Sequence, residues 1–358
     1  MATLEQVLGY DNLTQLAVSI RGGLPKPLPA SLYSVTKRVS GNLAKYRKVS
    51  GTREVARMVQ YGSPSKAAQQ KGVTEETVRL LHSSEHVWHD PYTLIALQQL
   101  DNAAQQKLGQ QEIARQTREF ATRFTNLRTT AIASAFALGA IYFDSDGNLL
   151  PSSSGATYTV DMGIPAANKN QIGGIIGASW ATSTTDIAGD IQAIKRKALQ
   201  TTGYPLRYAI YGLNVLNYLL GNDTIKELIP RSAAYNESAL AGAIKNGFMG
   251  LDWIDGSNAF FVDSSGSVQQ LVGDDTVIFL PEPSPDWYEL IEGSVPIPSS
   301  INVSSDATTA LRNITEVYGM FSYATVKDDP TGIKQVAGDT FLPVIKVPSA
   351  VFIADVTP

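Results

Sequence analysis

The 358-residue chain reads as an α+β protein built around one unusually long helix and an extended limb. Three observations predict this. The stretch from Leu94 to Leu138 contains no Pro, and its apolar residues recur at spacings of three and four. The stretch from Ser31 to about Asp90 instead spaces single Val residues among polar ones and turn formers. After Trp180, short apolar runs separated by Gly, Pro and Asp alternate with two helical patterns.

Composition sets the outer bounds. Hydrophobic content of 43% and charged content of 17% describe a globular chain. Its length allows two compact domains, or one core with large excursions. There is no Cys, which excludes disulfides, thiolate metal ligands and cysteine nucleophiles. MATLEQVLGYDN carries Glu5 and no continuous apolar core, so no secretory signal is expected. The most apolar run, AIASAFALGAIYF from Ala131 to Phe143, is too short to span a bilayer as a helix. A soluble protein without a membrane partner is expected.

The elements follow in order. Residues 1–30 hold a short helix at most before RGGLPKPLPA, where Gly and Pro are too dense for regular structure. Val39, Val49, Val55 and Val59, with turns at Ser40-Gly41-Asn42, Ser50-Gly51 and Gly62-Ser63-Pro64, predict a long two-stranded arm. A hairpin so poor in apolar side chains does not hold itself up in water, so it needs a surface to lie on. The long helix follows, with Phe120, Phe124, Leu127, Ala131, Ala135 and Leu138 on its apolar stripe and Gly139 as its stop. IYFDSDGNLL then predicts a strand entering an Asp-Gly turn, and YTVDMGIP the returning strand. STTDIAGDIQAIKRKALQTTG predicts a capped helix with Ile187, Ile191, Ile194 and Leu199 inward and Gly203 as terminator. RYAIYG is a short buried strand and LNVLNYLLGN a second helix. FFVD, VQQLV and TVIFLP, then VYGMFSYATV and FLPVIKVPSAVFIADV, are extended.

Charge is unevenly placed. KRVSGNLAKYRKVSGTREVAR, residues 37–57, holds seven cations against Glu54, or net +6, while the whole chain sums to −4. From Leu251 to Pro358, fifteen acidic residues oppose four basic ones, or net −11. Nucleic-acid binding by the arm would call for cations interleaved with aromatics, and only Tyr46 and Tyr61 qualify. For Lys45, Arg47, Lys48, Arg53 and Arg57 the expected role is pairing with carboxylates of an adjacent subunit, the alternatives being a merely solvated face and direct contact with DNA. On the long helix, Arg115, Arg118, Arg123 and Arg128 are partly offset by Glu112 and Glu119, which predicts at most loose, non-specific contact with DNA.

The enzymatic lures are weaker. His82, His86 and His89 crowd into HSSEHVWHD. On a helix His82 and His86 could share a zinc ion, with His89 about 10 Å farther along. On the strand that the flanks favour, His82 and His86 stand about 13 Å apart. No metal site is expected. DSDG at 144–147 opens like a calcium loop but lacks the later ligands, so a β-turn is expected. QIGGIIGAS lacks the order of a phosphate loop and reads as a flexible hinge. There is no G-x-S-x-G elbow for a serine nucleophile. No catalytic residue and no cofactor is expected.

Taken in sequence, VSGNLAKYRKVSGTREVARMVQYGSPS, RTTAIASAFALGAIYFDSDG, YTVDMGIP, SWATSTTDIAGDIQAIKRKALQTTGYPLRYAIYG and FLPVIKVPSAVFIADV resemble the lambda gpE-like group of tailed-phage major capsid proteins. That resemblance implies the HK97-like major capsid fold, with an N-terminal arm (1–30) and an extended E-loop hairpin (31–92). It also implies a P-domain part with a spine helix (93–165), an A-domain (166–312) and P-domain return strands (313–358). It implies self-assembly as hexamers and pentamers into an icosahedral head enclosing double-stranded DNA, located in the virion capsid and assembled in the host cytoplasm. Further implied partners are a portal and a scaffolding protein, with room for a decoration protein. No long, charged helical segment precedes residue 30, so the scaffold is expected to be a separate chain. No residue matches the Lys–Asn cross-link of some relatives. The competing readings are an encapsulin-like compartment shell, which shares the fold, and a metal-dependent hydrolase built on the histidines. An arm and a rod that a monomer cannot bury fit a closed shell, where neighbours cover them.

Overall fold

Among the described residues, apolar periodicity builds one rod and two main sheets, beside a three-stranded sheet around the Asp-Gly turn and two hairpins. The computed structural model describes residues 10–23, 26, 28–49, 73–89, 103–228, 241–242, 244–245, 247–262, 266–298, 314–328 and 331–358. The rod is the helix Ala103–Ala137, about 52 Å long at 1.5 Å per residue. Residues 94–102, where the helix was also expected, lie outside the described residues. Its buried positions run along one face through Ile113, Thr117, Phe120 and Phe124, and from Arg128 to Ala137 every residue is buried. The alanines at the end let the helix sit close to what lies beneath. Gly139 stops it at φ +71°, a conformation that a Cβ disfavours.

The rod lies on a six-stranded sheet, counted among the described residues. Its centre is the long strand Thr331–Ile345. On one side this strand pairs antiparallel with Phe321–Asp328. On the same side it pairs next, at residues 341–345, with Tyr288–Pro298, and on the other side it pairs with Leu81–His89. Thr36–Val39 adds parallel to Tyr288–Pro298, and Ile314–Tyr318 adds antiparallel. The stretch expected to be all arm is thus mixed. Its two ends are strands of the central sheet, and Leu43–Val49 pairs with Val73–Arg79 as a separate hairpin. The arm's expected outer part, 50–72, lies outside the described residues.

A second sheet of five strands carries the helices Ile187–Thr201, Val215–Gly221 and Asp223–Leu228. Strand alternation makes it the wall between two cores. Ile210, Ile278 and Ile353 point into the core shared with Ile132, Phe136, Tyr288 and Leu342. Their neighbours Ala209, Tyr211, Phe279 and Phe352 point into the core under the helices, with Trp180, Ile187 and Ile191. In the helix Ile187–Thr201, Asp186 caps the start by accepting from Gly189 N. Leu199, expected inside, is 37% exposed, and Ala198 takes the inward place because the stripe turns by one residue at the helix end.

Two expectations about flexible regions change. The N-terminal segment forms a helix through Arg21-Gly22-Gly23, Tyr10–Gly23, with Leu13 and Ala17 buried. The glycine-rich QIGGIIGAS is no free hinge. Ile172 and Ile176 are buried there, although Ile172 has φ +50°. Lys197 ties the turn down by donating to Ala167 O (2.7 Å) and Ile172 O (3.1 Å). Burial and these bonds outweigh the freedom that the glycines offer.

Candidate assembly surface

The basic arm begins at a well-defined base. In the Leu43–Val49 and Val73–Arg79 ladder, Arg47 stands opposite Glu75, and Tyr46 opposite Glu76. Ala44 is fully buried and Tyr46 packs on the main core, so this end of the hairpin is anchored to the body. Tyr46 donates its hydroxyl to Glu76 Oε2 (2.7 Å), and Lys48 Nζ lies 2.9 Å from the same oxygen. Burial, and then the Glu76 carboxylate, push the Tyr46 hydroxyl well above its ordinary value. Burial works against the ionised Glu76, but donation from Lys48 and Tyr46 outweighs it and holds the carboxyl below its ordinary value.

The candidate cations therefore divide. Arg47 pairs with Glu75 at 2.9 Å, yet both side chains are 71% exposed. Such a pair contributes little and exchanges readily. Lys48 is more committed, being half-buried against Glu76. Lys45 is exposed and faces Thr77 across the ladder. Arg53 and Arg57 lie outside the described residues. The acids that balance Arg47 and Lys48 lie outside the acid-rich stretch 251–358; they are Glu75 and Glu76. Their adjacency in VTEETVR, on the returning side of the same hairpin, was the available signal.

The helix cations also separate. Arg115 bonds Glu112, and Arg123 bonds Glu85 at 2.6 Å from the neighbouring strand. Arg118 is exposed. Arg128 is not a surface cation at all. It is buried against Asp339 and Glu292, so the expected row of four cations along the helix is broken. Elsewhere, one face of a small hairpin shows Phe260, Val262 and Val268 to solvent.

The histidines fall on the strand Leu81–His89, as their flanks suggested. His82 and His86 are exposed. His82 Nδ1 lies 2.8 Å from Thr340 Oγ1, while buried His89 bonds Gln335. Among the described residues no group of three or more His, Asp or Glu could hold a metal ion. Asp144, in the DSDG turn, accepts from the backbone of Asp146 and Asn148 and from the Asn148 amide, which closes the hairpin. Among the described residues no helix is long and apolar enough to cross a membrane.

A family model described as phage major capsid protein E matches residues 13–356. Among solved structures, a candidate capsid protein of an Escherichia coli CFT073 prophage is 14% identical at TM-score 0.58, covering 98% of this chain and 99% of that one. A phage-related protein from Bordetella bronchiseptica RB50 is 11% identical at TM-score 0.51, covering 98% and 97%. At these identities the two structures support the fold. No curated protein matches the chain.

Proposed function

The chain belongs to the phage major capsid protein E family, and from that premise we propose that its copies close as hexamers and pentamers into the icosahedral head around the double-stranded DNA of a tailed phage. It is a structural shell protein of the virion capsid and not an enzyme. The family match from residue 13 to residue 356 carries this reading, because it takes in the limb, the rod and both sheets together. Assembly in the host cytoplasm, a separate scaffolding protein, a portal and a decoration protein belong to the same proposal. So does the division into an arm (1–30), an E-loop (31–92), a P-domain in two parts (93–165 and 313–358) and an A-domain (166–312).

Within the shell, Lys45, Arg47, Lys48, Arg53 and Arg57 reach carboxylates of an adjacent subunit. Exposed Lys45 and Arg47 are the freest of the placed cations to do so, while Lys48 shares itself with Glu76. Each exposed pair contributes roughly 0–1 kcal/mol, but a lattice repeats it and uses it to fix register. Contact with DNA is loose and non-specific, since Arg115 and Arg123 are already paired and Arg128 is buried.

Purified particles test the reading. Electron microscopy of the expressed protein should show closed icosahedral shells, and particles isolated from lysed host cells should protect DNA from nuclease. A shell that instead carries a co-purifying enzyme would assign the chain to a protein compartment. A monomer at high concentration would remove the shell reading altogether.

A further inference from the structure

Four charged groups meet where the N-terminal helix, the rod and two strands of the central sheet converge. Burying charge is costly unless it is balanced and hydrogen-bonded. Arg128 on the rod is 5% exposed at its side chain, Asp339 is fully buried and Glu292 is 8% exposed. Arg128 donates Nε and Nη2 to Asp339, the latter at 2.6 Å to Oδ1, and Nη1 to Glu292 Oε1 at 2.7 Å. Its guanidinium also lies 5.0 Å from the centre of the Phe341 ring. Burial alone would lower the Arg128 pKa, but the attraction of Asp339 and then Glu292 more than reverses this. Gly319, at φ +69°, lets the adjoining turn pass overhead, since a Cβ there would stand 2.9 Å from Arg128 Nη2.

These three groups sum to −1. The fourth charge comes from Arg21, in the last turn of the Tyr10–Gly23 helix. Its Nη1 lies 3.7 Å from Glu292 Oε1 and is buried without a hydrogen-bond partner. Burial, followed by repulsion from Arg128, pulls Arg21 below its ordinary pKa, while Asp339 and Glu292 oppose this. Arg21 thus neutralises the cluster without being locked into it.

The rest of this helix packs on the rod and on the strand Phe321–Asp328. Leu13 and Ala17 are buried, and Thr14 Oγ1 donates to Ser322 O (3.0 Å) and accepts from Ser322 N (3.1 Å). Fourteen residues are too few for a helix to persist alone in water. Beneath it lies a small apolar cluster that includes Phe120, Phe124, Met320 and Ala337.

We propose that the Tyr10–Gly23 helix is a charge-keyed strap: Arg21 makes its docking conditional on the closed Arg128–Asp339–Glu292 triad, so the strap leaves as a unit and uncovers the apolar cluster when that balance is broken. Coupling of this kind is reciprocal, so whatever opens the triad also frees the strap. The device belongs to the single chain and does not depend on assembly.

Hydrogen exchange on the full-length protein tests it, comparing the wild type with Arg21→Met, Arg21→Lys, Glu292→Gln and the double variant Arg21→Met/Glu292→Gln. Arg21→Met should speed exchange across residues 10–23 by roughly tenfold or more and leave Thr276–Pro281 unchanged. Arg21→Lys should stay close to wild type. The double variant leaves Arg128 and Asp339 as a neutral pair, so its strap should exchange several-fold more slowly than that of Arg21→Met. Wild-type exchange in Arg21→Met would overturn the proposal. So would Arg21→Lys behaving like Arg21→Met, or effects of the two single changes that merely add in the double variant. Should Arg21→Met fail to fold, Arg21→Lys against Glu292→Gln decides: a strap as protected in Glu292→Gln as in wild type overturns the proposal.

Discussion

Gln335 shows how single side chains decide between a structural and a chemical role. Its Oε1 lies 2.9 Å from His89 Nε2, and its Nε2 donates to Thr117 Oγ1 (3.0 Å) and Ser322 Oγ (3.2 Å). The amide therefore joins three strands and the rod, and His89 donates from Nε2, as the acceptor opposite requires. Replacing Gln335 with Leu strands these buried groups and should cost about 1–3 kcal/mol, read as a lower melting temperature. Glu112 gives a prediction of a different kind. Arg115 first and Gln116 second hold its carboxyl down to about 2, against an ordinary 4.5. The folded value is the lower one, so its contribution is full above about pH 4.5 and is lost as pH falls toward 2. Both side chains are well exposed, so the effect on stability is only about 0.3–0.5 kcal/mol. An NMR titration of the Glu112 carboxyl should find a midpoint near 2; a midpoint near 4.5 would mean the Arg115 contact is open in solution.

At the scale of elements, burial and not propensity separates neighbouring residues. Ile191 is fully buried beneath the helix Ile187–Thr201, while Leu199 on the same helix faces outward. Ile191→Ala should cost about 2–5 kcal/mol in urea unfolding, whereas Leu199→Gln should stay within about 0.5 kcal/mol. Equal losses at both sites would mean that the exposed end is covered in solution. The rod, the Asp-Gly hairpin and the capped helix were all legible from local periodicity and capping. The sharing of the arm's two ends with the central sheet was not. Thr36–Val39 pairs with residues 290–293, and Leu81–His89 with residues 333–341, partners some 250 positions away. A strand's own sequence says that it will pair, but not with which distant strand.

For the whole molecule, the arm is the test of assembly. Its base is anchored by Ala44 and Tyr46, and Arg53 and Arg57 belong to the proposed contact with a neighbour. Reversing Arg53 and Arg57 to Glu places like charge against the proposed partner carboxylates and should lower shell yield and salt tolerance severalfold. Unchanged assembly would remove these arginines from the contact. The two cores divided by one sheet add a constraint of their own. Motion between the sheets would disturb both cores together.

By itself, the amino-acid order determined where the rod, the Asp-Gly hairpin and the capped helix form, that no cysteine is present, and which family the pieces resemble. These follow from period, caps and turn residues, which act within a few positions of the chain. Tertiary structure alone decided that Arg128 is a buried joint, that Lys197 disarms a glycine-rich turn, and that Arg47 and Lys48 meet Glu75 and Glu76. Charges are paired by proximity in space, and Arg128 and Asp339, 211 positions apart in the chain, become neighbours only once it has folded back.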